Sequence, residues 1–227
     1  MVEPKKSSTP ADRLARVRDL MTTATHPTDP IFPIRDINAR SAGEHVGPIT
    51  HGINLVGLFK GQWSLADLIV HALDATGPAH LTISTWTAGG ADLEHFYRLL
   101  TSEQILSLRW LVDFSFPSRQ PGYCLRLVDL FGTDAVRVTA NHAKFTIIRN
   151  DEWDLIITTT ANLNKNARLE HFYIHDDKAI ADWFAVLADE LFAEAPNIDT
   201  PPGQAQATLT DLGGALRPSL TQGLTYD

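Results

Sequence analysis

Cysteine is nearly absent from this chain. Cys124 is the single one among 227 residues, so no disulfide can close within it. That fits a reducing compartment, and a cytoplasmic location is expected. Long apolar runs are missing too: nothing approaches the roughly 20 residues of a membrane-spanning helix. The Met1 end is polar and basic, without the apolar stretch of a signal peptide. Positive charge is also short. Lys and Arg number 19 against 27 Asp and Glu, a net charge of -8. Proteins that grip polynucleotides broadly carry the opposite excess. A polynucleotide partner would need a local basic patch on an acidic body. No internal repeat is evident.

What is present reads as one domain. Residues 1–30 are rich in Ser, Thr, Pro and Lys and read as a flexible or peripheral arm. Residues 31–50 read as an irregular lead-in to a domain spanning 31–195, and residues 196–227 as a loose tail. Strands are expected at Ile53–Leu58, His80–Trp86, Ile105–Phe114, Val136–Thr139, Lys144–Ile148, Leu155–Thr160 and Glu170–His175. Helices are expected after Ser64, a good N-cap, from Asp92 to Leu100, and from Gln120 to Phe131, where Gly132 stops the run. A last amphipathic helix carries Ile180, Trp183, Phe184, Leu187 and Leu191 on one face. Strands alternating with helices and then clustering imply an α/β mixed sheet with helices packed on both faces.

The chemistry concentrates in Asn141-His142-Ala143-Lys144, Thr158-Thr159-Thr160-Ala161-Asn162 and Asn166-Ala167-Arg168-Leu169-Glu170. On a strand, positions i and i+2 share a face, so His142 and Lys144 would stand side by side. The next strand would return Thr160 and Asn162 to the same edge, and Glu170 would come within reach of the imidazole. An ammonium, an amide and a hydroxyl can all donate to one phosphoryl group. A neutral imidazole can attack phosphorus, and a carboxylate on its other nitrogen would fix the tautomer. The lysine supplies the positive charge, so neither a metal nor any other cofactor is expected.

This ordered set resembles the phospholipase D-like superfamily, whose members include phospholipases, cardiolipin synthases, nucleases and tyrosyl-DNA phosphodiesterases. The motif resemblance covers roughly residues 136–176, and its flavour is that of short bacterial or prophage members. It implies a phospholipase D-like sheet with His142 as nucleophile through a phosphohistidine. Lys144 and Asn162 would hold the phosphate, Thr160 would replace the usual Ser, and Glu170 would orient His142. The family uses a second histidine as general acid. The motif occurs once here, which implies a homodimer with a composite site. Two departures stand out. Arg149 occupies the place of the motif Asp, and Thr159-Thr160 replaces Gly-Ser.

The leading expectation is a metal-independent nuclease, with nucleic acid as partner. Lys165 and Arg168 would contact substrate, and Arg126, Arg137 and Arg149 would extend a basic strip. Trp86 either lines the pocket, beside Ser84 and Thr87, or caps the sheet. The rivals are a lipid phosphodiesterase or phosphatidyltransferase, and a catalytically impaired nucleic-acid-binding or scaffold protein of the same fold. His171 and His175 are four apart on an expected strand, which sets them roughly 13 Å apart and argues against a metal pair. His45 and His51 in the lead-in have no specified role. Cys124 is expected in the core.

Overall fold

The computed structural model describes residues 40–164 and 167–200. The arm at 1–30, most of the lead-in's first half, Lys165 and the tail from 201 onward lie outside the described residues. The strands are β1 (Asn54–Phe59), β2 (Ala79–Thr85), β3 (Ile105–Asp113), β4 (Val136–Thr139), β5 (Lys144–Arg149), β6 (Asp154–Thr159) and β7 (Glu170–Asp176). They form one sheet in the order β1-β7-β6-β5-β2-β3-β4. β2, β3 and β4 run parallel, and the remaining pairs are antiparallel. This is the mixed sheet expected from the strand and helix pattern.

Helices cover both faces. One face packs against α1 (Ala42–Val46), α2 (Leu65–Thr76), α3 (Gly90–Thr101) and α5 (Pro121–Phe131), with the short α4 (Phe116–Arg119) leading into α5. The core there is built from Leu81, Ile83, Trp110, Ile148, Ile157, Phe172 and Ile174 below Ile69, Phe96 and Leu127. Cys124 lies in this core, as expected. The other face carries α6 (Lys178–Glu194), which seats Ala181 and Ala188 against Leu111, Phe145, Ile147 and Ile156. Alternate strand residues therefore feed two separate cores.

Local signals explain most element ends. Ser64 and Asp67 form a reciprocal capping box at the start of α2. Asp177 caps α6 through the Ile180 N–H. Gly57 faces Phe172 across the β1–β7 pair, and any Cβ there would collide with the Phe172 ring. Two stretches depart from expectation. The lead-in contains α1, capped by the Ser41 hydroxyl, which accepts from the Glu44 N–H. The first residues of the tail, 196–200, are tied down: the Val138 N–H donates to the Pro196 carbonyl at 3.0 Å, and Asn197 bridges to Arg137.

Candidate active site

The strand register brings the motif to one edge of the sheet. Lys144 opens β5 and pairs with Thr159 at the end of β6, which in turn pairs with Phe172 near the start of β7. Lys144 shares its sheet face with Ile148, and Glu170 shares the same face with Phe172 and Ile174. The C-terminal ends of the parallel strands β2, β3 and β4 meet the same edge, where α/β sheets place their sites.

His142 does not lie on the strand with Lys144. β5 begins at Lys144, and residues 140–143 form the loop entering it. The pair forms all the same, because Lys144 folds back on that loop. Its ammonium donates to the His142 carbonyl at 2.8 Å and sits 3.2 Å from Nδ1 and 3.5 Å from Nε2 of the ring. His142 is exposed, whereas Lys144 is only 7% exposed. Burial lowers the Lys144 pKa from its ordinary value, and the charges of Glu170 and Asp113 partly oppose that. The ammonium thus touches the imidazole and lies in the field of two carboxylates.

The loop carrying His142 is braced from below. Asn141 accepts from the Ala143 N–H at 2.8 Å and donates to the Ser84 hydroxyl at 2.6 Å. Ser84 donates onward to the Ala143 carbonyl at 2.9 Å. Asp113, at the end of β3, accepts from the Asn141 N–H at 3.2 Å and from Ser115. These contacts hold the imidazole without touching it.

The other motif residues divide. Asn162 is half-buried, and its Oδ1 is buried with no hydrogen-bond partner among the described residues. That oxygen can only accept, so it is the Asn162 NH2 group that could donate to a phosphoryl oxygen. Thr160 is exposed and bound to β7: its hydroxyl oxygen accepts from the His171 N–H at 3.0 Å, which leaves its own O–H free to donate. Thr159 donates to the His171 carbonyl at 2.7 Å. Glu170 reaches the charge of Lys144, but among the described residues no hydrogen bond joins it to His142. Arg168 is exposed beside the motif.

Trp86 is at the site. Its ring centroid lies 5.7 Å from that of His142, and the Arg119 guanidinium lies over the ring, 3.6 Å from its centroid. Arg119 also donates to the Trp86 carbonyl at 2.9 Å. Arg119 and Asp113 were missed by sequence reasoning. Arg119 has no local signal, because its role depends on α4 folding back over β2. Asp113 had one: an acidic residue closing the apolar strand run at 105–112.

Other candidates lie elsewhere. Arg137 faces α6, donating to the Phe192 carbonyl, and Arg149 joins Asp154 and Asp182 at the opposite end of the sheet. Neither extends a basic strip at the site. Hydrogen bonds from Arg149 to Asp182 and Asp154 outweigh its partial burial and raise its pKa. The carboxylate that the family pattern places at 149 is replaced by an arginine whose partner, Asp154, sits directly across the β5–β6 pair. His51 stacks on Trp153 and pairs with Asp176 at that far end, and His45 is buried among Trp63 and Phe172. His171 and His175 flank Tyr173 on the sheet face that α6 packs against.

The fold can be set beside known proteins. No family model matches the sequence, and no curated protein matches it. Solved structures do match by fold. NucT from Helicobacter pylori covers 63% of this chain and 99% of its own, with 14% identity and a TM-score of 0.48. Nuc from Salmonella typhimurium, described as a phospholipase D family member, covers 63% and 96%, with 13% identity and a TM-score of 0.43. Phosphatidylserine synthase from Haemophilus influenzae Rd KW20 is similar over 71% of this chain and 46% of its own, with 14% identity and a TM-score of 0.41.

Proposed function

We propose that this protein is a metal-independent phosphodiesterase that hydrolyses nucleic-acid phosphodiester bonds through His142. The observation that carries the reading is the buried Lys144 ammonium held 3.2 Å from the His142 ring. Lys144, the Asn162 amide and the Thr160 O–H supply donors for the non-bridging phosphate oxygens. A ring nitrogen of neutral His142 gives its lone pair to phosphorus, and the bond from phosphorus to the leaving oxygen breaks. That oxygen takes a proton from the His142 imidazolium of a second copy, which the family resemblance implies across a twofold axis. Water then attacks phosphorus, gives its proton to that same imidazole, and the phosphorus–nitrogen bond breaks. The net change is one phosphodiester and one water to a phosphomonoester and an alcohol.

Burial lowers the Lys144 pKa, and the charges of Glu170 and Asp113 partly oppose that and favour the ammonium. The brace through Asn141 and Ser84 fixes the His142 loop before substrate arrives, which is where preorganisation lowers a barrier.

The test is cleavage of labelled single-stranded DNA, duplex DNA and RNA in excess EDTA, beside His142→Ala, with sedimentation to read the oligomeric state. Cleavage that survives chelation and disappears in the variant, from a dimer, supports the reading. A folded dimer that cleaves none of the three overturns it.

A further inference from the structure

A cleft of about 530 Å³ opens beside the His142 edge, between the starts of α3 and α5. Gly90, Glu94, Gln120, Gly122, Tyr123 and Arg126 line it. Its volume lies within the ordinary range for a small-molecule site. It is tied to the site on both sides. Gln120 accepts from the Thr87 hydroxyl, next to Trp86, and follows Arg119, whose guanidinium lies on the Trp86 ring. Gly90 follows Gly89, whose N–H donates to the Leu163 carbonyl at 2.7 Å, one residue beyond Asn162.

The wall of this cleft is an aromatic face. Tyr123 is 45% exposed, and its ring lies against Gly90: a Cβ there would sit 3.3 Å from Cε1. Glycine at 90 thus leaves the ring room. Arg126 pairs with Glu94 and closes the far side. Phe114, 46% exposed, follows Asp113 on the other flank of the His142 loop. Trp86 already carries Arg119, whereas the exposed Tyr123 ring faces the cleft. A phosphate at His142 would have Lys144 and the exposed Arg119 as its cationic surroundings. An aromatic face beside a cationic phosphate position suits one nucleotide unit: the base stacks while the backbone is held by charge. In a duplex the base is covered by its neighbours and its partner, so the strand must be single.

We propose that the Tyr123 cleft receives a nucleobase of a single-stranded polynucleotide whose adjacent phosphate lies at His142. This rests on the phosphodiesterase reading of the site for its phosphate, but not on turnover.

The test measures binding without cleavage, in the full-length His142→Ala protein. The probes are a fluorescent thymidine oligonucleotide, the same strand with abasic positions, its duplex, and vesicles of phosphatidylglycerol. Adding Tyr123→Ala is expected to weaken binding of the base-bearing strand about tenfold and to leave the abasic strand unchanged, whereas Tyr123→Phe restores affinity. The exposed position of Tyr123 keeps the fold intact, which circular dichroism checks. Equal binding by Tyr123→Ala, equal binding of abasic and base-bearing strands, or binding of vesicles in place of oligonucleotides would overturn the proposal. Base-dependent binding in a protein that never cleaves would leave this inference standing and remove the hydrolytic one. Cleavage indifferent to Tyr123 would do the reverse.

Discussion

An ammonium that is 7% exposed is held at a cost in folding free energy, and Lys144 is such a group. Burial lowers its pKa, so between that lowered value and the ordinary one near 10.5 the unfolded chain binds more protons. Stability from this group therefore rises as pH climbs through that window and is lowest below it. Lys144→Met should leave the melting temperature at pH 7 unchanged or higher, while activity falls about 10²–10³-fold. A loss of both together would mean that the lysine is structural. The same shift has a kinetic counterpart: the alkaline limb of kcat/KM should fall below the usual lysine range, and Lys144→Arg should move it beyond reach. Asp92 behaves differently. Burial, then the charge of Asp67, raises its pKa to about 6. Its contribution is fully present below the unfolded value near 4 and is lost as pH rises through about 6. Asp92→Asn should therefore stabilise the protein by about 1 kcal/mol at pH 8 and do nothing at pH 4, the gain being reduced by solvent screening. Denaturant midpoints at the two pH values check this, and an equal effect at both would contradict it.

At the scale of elements, the β5–β6 hairpin has a chemical end and a structural end, roughly 17 Å apart along β5. Lys144 stands at one and Arg149 at the other, held by Asp154 across the pair and by Asp182 of α6. A double-mutant cycle on Arg149→Ala and Asp154→Ala should give a coupling of about 1 kcal/mol in stability with activity retained in the folded variants. Loss of turnover in stable Arg149→Ala would show that the residue acts at the site. The strands were legible to within a residue or two because alternation and β-branched runs report the two cores they feed. Val136–Thr139 and Lys144 as a strand start are cases in point. α1 was not legible, because five residues among glycines and prolines carry too few turns to show a helical period. His142 was read one step too far into the strand, since the i,i+2 rule holds only where the strand has begun. Glu170 is legible as a charge near Lys144 but not as a partner of His142. Arg119 and the Tyr123 cleft arise from packing between elements distant in sequence, which no spacing rule encodes.

The whole molecule is acidic, with a net charge of -8, and its site is a local exception. Lys144 and Arg119 stand around His142 at one edge of a sheet whose ion-paired arginine, Arg149, lies at the other. Binding of a polyanion there should be weak at long range and only shallowly dependent on salt, as few phosphates would be neutralised. On the proposed reading, one motif per chain supplies one nucleophilic histidine per copy, so the two-histidine chemistry would belong to an assembly of two. The central claim is that His142 itself attacks phosphorus. It is tested by acid-free denaturing quench of a single turnover with a radiolabelled oligonucleotide, followed by mapping of any label that stays with the protein. Label on His142, absent from His142→Asn, is the predicted result. Label on another residue, or cleavage at the wild-type rate by His142→Asn, would contradict the account.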